Sequence, residues 1–334
     1  MAQKTKNANI DIRQSTRIFY EQAFVGGGYY NDYILAVGNR MILDRKQSPD
    51  SMIRKKSSLM TKFLIVIFLF LSPSVGAQTG ITIDNELFFR VVIPLINKGH
   101  TATILAKGKS MIPFICDGDK VLLEKYERYK NGDVVLAHLS EGRYVLHRIV
   151  SLHNDSVALM GDGNLYGREY CPVDSLKALC RTMIGKKGNK ISLDTDIQKS
   201  RVELWHACLS KREALLSSFT IPDDTFWENL FLSCIKLDRD IKVTIRPCYE
   251  IKEFEQEKNI ISTESSNVDF SSLISLNESA EFLFNKMKGQ NLCLDEVVGI
   301  LLQEYDVEKS TAANDCLDLL TKWFSLGILK IVVV

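Results

Sequence analysis

The chain has little of several things, and each scarcity narrows what it is. Lysine plus arginine numbers 42 against 41 for aspartate plus glutamate, a formal net charge of +1, and no polybasic block stands out. Nucleic acid is therefore not an expected partner. The eight cysteines (116, 171, 180, 208, 234, 248, 293 and 316) are scattered and include no Cys-x-x-Cys pair, which argues against a structural zinc site. They read as small buried hydrophobes in a reducing compartment, and their even number does not establish disulfides. No metal and no organic cofactor is called for. What is abundant is ordinary: 334 residues, 46% hydrophobic and 25% charged, suit a folded chain of two or three modules.

Long apolar runs are also lacking. The conspicuous one, Phe63-Leu-Ile-Val-Ile-Phe-Leu-Phe-Leu71, falls short of the roughly 20 residues that a spanning helix needs. Arg54, Lys55 and Lys56 precede it and Ser72-Pro-Ser-Val-Gly-Ala77 follows. That is the layout of a secretory signal peptide, far from Met1 unless translation starts at Met52 or Met60. Segment 59–80 thus has three readings: signal peptide, marginal anchor, or buried strand or helix. Membrane association through residues 63–77 is the favoured one, and localisation stays open between membrane-associated and cytoplasmic. Residues 1–58 are polar, Gly-rich around Gly26-Gly-Gly28, and lack periodicity, so poor order is expected there.

Beyond residue 84 the pattern sharpens. Leu87, Phe88, Val91, Val92 and Leu95 have helical spacing, with Asp84 as N-cap and Gly99 as stop. The period then changes. Short β-rich runs at 101–106, 120–124, 133–138, 143–150, 156–160 and 178–184, many separated by Gly-Asp, Asn-Gly or Glu-Gly pairs, predict a small, strongly bent β domain. Residues 200–238 return to helical spacing, divided by Pro222, and read as a connector. From about Lys242, two strands, three helices (277–289, 294–305, 310–324) and a closing strand at 327–334 predict a winged-helix-like unit. The expected fold class is mixed: a mainly β coiled-sheet domain over 84–195 and an α+β domain over 243–331.

The chemistry concentrates in the β domain. Gly108-Lys-Ser-Met-Ile-Pro113 brackets Ser110 between a glycine, which permits close backbone approach, and a proline, which removes a competing donor. Such a turn would expose the hydroxyl and aim the Ser110 and Met111 amides at a substrate carbonyl. A serine needs a base within reach and donors for the developing oxyanion. His147, inside Tyr144-Val-Leu-His-Arg-Ile-Val150, is the candidate base; alone, a histidine in such a run reads as a sheet-face residue. Asp162, in Gly161-Asp-Gly-Asn164, is the candidate acid that orients it. Turn aspartates are usually structural, and Asp119 and Asp133 read that way. Of the other histidines (100, 138, 153, 206), His138 is the strongest competitor, being also at a strand end.

At these residues a resemblance becomes explicit. Gly108–Pro113, Gly118-Asp-Lys-Val121, Gly132-Asp-Val-Val135, His147-Arg-Ile149 and Gly161–Asn164 resemble, in order, the boxes of type I signal peptidases and the related self-cleaving repressor peptidases, over about residues 84–192. Bacterial signal peptidases carry a lysine before the arginine. His147 takes that place here, as in the archaeal and endoplasmic-reticulum type. The resemblance implies a largely β coiled-sheet domain with Ser110 as nucleophile, His147 as general base and Asp162 as acidic partner. The serine oxyanion donor that signal peptidases often place two residues before the nucleophile is Gly108 here, as in the repressor type, so oxyanion stabilisation rests on backbone amides.

The C-terminal unit is similar to another family. Ser275–Gly289, Leu294-Asp-Glu-Val-Val298, Glu304-Tyr-Asp-Val-Glu308 and Leu326-Gly-Ile-Leu329 resemble pyrroloquinoline quinone biosynthesis protein D over about 243–331. Those are small peptide chaperones that recognise ribosomally made, modified peptides, the leader adding as a strand beside a winged-helix sheet. Together the two resemblances imply a serine endopeptidase whose C-terminal unit captures a precursor or leader peptide. The rivals are a peptide-binding chaperone with a silent peptidase domain, a membrane signal peptidase, and self-cleavage, ranked last because no Ala-Gly or Cys-Gly pair stands out ahead of Ser110.

Overall fold

The computed structural model describes residues 34–37, 40–43, 85–186, 188–218, 221–254, 256–264 and 273–333. The expected cap at Asp84 and the apolar segment 59–80 lie outside the described residues. Among those described, no helix is long and apolar enough to cross a membrane.

Helix α1 (Asn85–Asn97) buries Phe88, Phe89, Val92 and Ile96, a stripe at i, i+4 and i+8. It ends on Gly99, which adopts a φ of 93° and donates to the carbonyl of Ile96. Strands β3 (Ala102–Leu105), β4 (Lys120–Glu124), β5 (Val134–His138), β6 (Tyr144–His153), β7 (Ser156–Met160), β8 (Glu169–Pro172), β9 (Leu176–Ile184) and β10 (Lys190–Ser192) follow. They join β1 (Ile34–Val37) and β2 (Arg40–Leu43) in one sheet of order β2-β1-β3-β4-β9-β5-β6-β7-β8, with β10 beside β9. All its pairings are antiparallel except β1 with β3.

Strand periodicity sorts the core. On β5, Val134 and Leu136 face α1 together with Val121, Leu123 and Cys180, whereas Val135 and Ala137 face the other side with Ile149, Leu159 and Leu179. Side chains alternate between faces, so a strand buried on both sides reads as an unbroken apolar run.

The connector forms α2 (Asp196–Ala207), α3 (Leu209–Ser217) and α4 (Asp224–Leu237). The Thr195 hydroxyl accepts from the Gln198 amide and the Asp223 carboxylate from the Phe226 amide, capping α2 and α4. The C-terminal part holds a two-stranded sheet of β11 (Ile241–Ile245) and β15 (Leu329–Val333). A three-stranded sheet is built from β12 (Tyr249–Phe254), β13 (Glu257–Ser262) and β14 (Ile274–Ser275), and helices α5 (Glu278–Met287), α6 (Leu294–Glu304) and α7 (Lys309–Ser325) complete this part. These helices and strands share one apolar core with α2 and α4. The connector is therefore packed into that core and does not hang between modules.

One reading of the cysteines is corrected. Cys208 and Cys234 form a disulfide between the end of α2 and α4, because both face the same buried seam. The other six are free and buried.

Candidate active site

Ser110 lies where β3 has ended and the chain turns. Gly108, with φ of 93°, donates to Asp117 Oδ1 at 2.8 Å. The Met111 carbonyl accepts from Phe114 and Ile115, so the segment after the serine closes on itself as a tight turn. Its outer side is held by the loop after β7. Gly163 donates to the Ser110 carbonyl at 2.8 Å. A Cβ on Gly161 would collide with the Ser110 carbonyl and Cβ, and one on Gly163 with the Lys109 carbonyl. The two glycines are thus required by close backbone approach. Ser110 itself is partly exposed. Among the described residues the Ser110 and Met111 amides donate to no protein acceptor, leaving both available to an incoming oxygen.

His147 is buried on β6. Register relates it to the serine. Arg148 is opposite Met160 on β7, so continuing one residue sets His147 opposite Gly161. Directly opposed residues point to the same face, and the side chain that Gly161 lacks would strike Ser110. The Ser110 turn thus packs against the chain just beyond Met160, next to the end of the β6–β7 pair that carries His147. No hydrogen bond joins them in this conformation; such contacts are often long without substrate and tighten when it binds.

The carboxylate on His147 is Glu169. Its Oε2 lies 2.6 Å from His147 Nδ1, and its Oε1 accepts from Arg143 Nη2 at 3.1 Å. Glu169 is opposite Leu159 on β7, which is opposite Ile149 on β6. Glu169 thus shares a face with Ile149 and, two residues away, with His147. A carboxylate accepting from Nδ1–H leaves the Nε2 lone pair free to take a proton.

Asp162, the expected acidic partner of His147, is bonded in this structure to Arg148 and lies next to His206. It is fully buried. Both oxygens are held by the guanidinium of Arg148, Nε to Oδ1 and Nη2 to Oδ2 at 2.8 Å each, and Oδ1 also lies 3.2 Å from His206 Nε2. The reason is pleat alternation: Arg148 projects from the face of β6 opposite His147, and the loop carrying Asp162 reaches that face. Burial alone would raise the Asp162 carboxyl, but Arg148 and His206 outweigh it and hold it at about 2. The group is a structural anion. Arg148 also donates to the Gly132 carbonyl at 2.7 Å and lies 5.5 Å above the Phe114 ring.

Asp119 and Asp133 cap turns, accepting from the amides of Cys116 and Lys130. His138 stacks on Tyr144 with centroids 4.4 Å apart, and its Nε2 is buried without a partner. Glu169 went unread in the sequence because Glu169-Tyr-Cys-Pro172 is short and ends in proline, which gives a weak strand signal.

Residues 71–183 match the family model described as Peptidase S24-like, and residues 260–329 match the one described as Coenzyme PQQ synthesis protein D (PqqD). No curated protein matches the chain.

Proposed function

We propose that the S24-like and PqqD-like regions work as one peptide-processing unit: a serine endopeptidase acting on a precursor or leader peptide. The C-terminal part, read as a winged-helix-like recognition element, captures the peptide, and the β domain hydrolyses a bond in it. The Ser110 Oγ attacks the scissile carbonyl carbon while its proton passes to His147 Nε2. The Glu169 carboxylate holds Nδ1–H and stabilises the imidazolium that forms. The Ser110 and Met111 amides receive the oxyanion. Collapse breaks the C–N bond, His147 protonates the leaving amine, and an acyl-enzyme remains. Water, deprotonated by the same ring, then releases the carboxylate product and frees Ser110. Capture raises the local peptide concentration, so a weak active-site affinity suffices.

The observation that supports this reading is the 2.6 Å pairing of a buried His147 with Glu169, beside the strand end against which the Ser110 turn packs. The second reading, a peptide-binding chaperone with a silent peptidase domain, draws on the lack of a hydrogen bond between Ser110 and His147. A fluorophosphonate, which phosphonylates only activated serines with loss of fluoride, separates them. Incubated with the full-length protein, it is expected to label Ser110, with label lost in Ser110→Ala. A folded protein that stays unlabelled leaves the chaperone reading.

A further inference from the structure

The Gly161–Asn164 loop beneath Ser110 is held from outside the β domain. The Trp205 indole N–H donates to the Asp162 carbonyl at 2.7 Å. Arg212 Nη2 donates to the Asp162 and Asn164 carbonyls, 2.7 Å each. His206 reaches the Asp162 carboxylate. All three residues come from α2 and α3. Trp205 and Arg212 are fully buried, and the guanidinium carbon lies 5.4 Å over the Trp205 ring. Arg212 Nε and Nη1 have no partner. A buried cation with unmet donors costs stability, and its surviving hydrogen bonds all go to this loop.

The same helix is locked at its other end to the C-terminal sheet. Ser200 donates to the Leu329 carbonyl at 2.5 Å, and Glu203 accepts from Arg246 at 2.7 Å and from the Ile331 amide at 3.0 Å. Arg246 also bonds Ser200 and the Gly327 carbonyl. Ser200 and Trp205 are five residues apart, about 7.5 Å along a helix. One rigid segment thus grips β15 and the loop under the serine.

We propose that Trp205 and Arg212 are positioning residues for Ser110, and that through α2 the C-terminal unit braces the serine site as well as capturing peptide. They fix the carbonyls of Asp162 and Asn164, and with them Gly161 and Gly163, against which the Ser110 turn rests. The catalytic half of this statement rests on the peptidase reading; the bracing does not. A misplacement of about 1 Å at the nucleophile is enough for a rate loss of order a hundredfold.

The test uses full-length protein with Trp205→Phe, Arg212→Met and Glu203→Ala. A fluorophosphonate gives the maximal rate and apparent affinity of Ser110 phosphonylation, and amide hydrogen exchange reports residues 108–116 and 160–164. In the first two variants the maximal phosphonylation rate should fall at least tenfold with affinity within twofold, and exchange in both segments should rise. Glu203→Ala should shift both measures the same way by less. Rates and exchange equal to the parent in Trp205→Phe overturn the proposal. Raised exchange in a protein whose parent is never phosphonylated sinks the peptidase reading and leaves the brace. Trp205→Phe keeps an aromatic ring in the core, so it decides the matter where Arg212→Met does not fold.

Discussion

Glu169 Oε2 and His147 Nδ1 lie 2.6 Å apart although their strands are not neighbours: β7 runs between β6 and β8. The pairing crosses that strand because Leu159, between them, faces the same side. A tautomer set this way has a measurable consequence.

Glu169→Gln keeps the shape and removes the charge. The amide can accept from Nδ1 but no longer stabilises an imidazolium, and it can flip to present a donor. Maximal hydrolysis should fall by roughly 10²–10⁴, with KM little changed and urea stability close to the parent, since Glu169 is partly exposed. Retention of activity within threefold would remove Glu169 from the mechanism.

Asp162→Asn should do the reverse, acting first on stability. It leaves the Arg148 guanidinium buried at the β6–β7 end opposite a neutral amide. Removing one partner of a buried ion pair costs about 3–5 kcal/mol. Urea unfolding followed by tryptophan fluorescence reads this directly. A shift below 1 kcal/mol would mean that Arg148 finds another anion.

The same carboxyl gives the protein an acid limit. Its folded value of about 2 lies below its ordinary 3.8. The folded state therefore binds fewer protons than the unfolded chain, and the contribution of the group is complete above pH ~4 and drains away as pH falls towards ~2. That contribution is about 2 kcal/mol. Urea midpoints at pH 5, 4 and 3 should drop more steeply in the parent than in Asp162→Asn. Parallel slopes would contradict it.

Gly161→Ala tests the contact between the loop and the nucleophile. The added methyl meets the Ser110 carbonyl and Cβ, so the serine turn must shift. Acylation of Ser110 should slow about a hundredfold, with stability lowered by about 1–3 kcal/mol from overpacking. Gly142, where a Cβ meets nothing but φ is 79°, serves as comparison: Gly142→Ala strains a hairpin tip and should leave acylation unchanged.

Much of this was legible in the residues. The strands from 102 to 184 other than β8 announce themselves through β-branched runs between glycine turns, helix 278–287 through its Asn277 cap, and helices 294–304 and 309–325 through 3.6-residue spacing. The turn at Ser110 and the strand of His147 are legible because glycine, proline and apolar β-branched neighbours mark them. Glu169 is not, since its place depends on register across two strands, which no local pattern encodes. The ion pair of Asp162 with Arg148 is illegible for a related reason: it is set by which face of β6 each residue occupies, and Arg148, adjacent to His147 in sequence, occupies the opposite one. The bond network of Trp205 and Arg212 depends on helix docking and left no mark in the chain beyond an apolar stripe.

Phe114 is four residues from the serine, yet its ring stacks on Trp227 of α4 at 5.3 Å and is buried in the core of the C-terminal half. A chimera that grafts this peptidase onto a different recognition element by cutting between β10 and α2 would leave an aromatic plug without its socket on one side and an open slot on the other. A cut after α4 is no better, because α2 and α4 share that core with α7 and β15 and Phe231 stacks on Phe324, so recognition element, connector and protease are exchanged together or not at all.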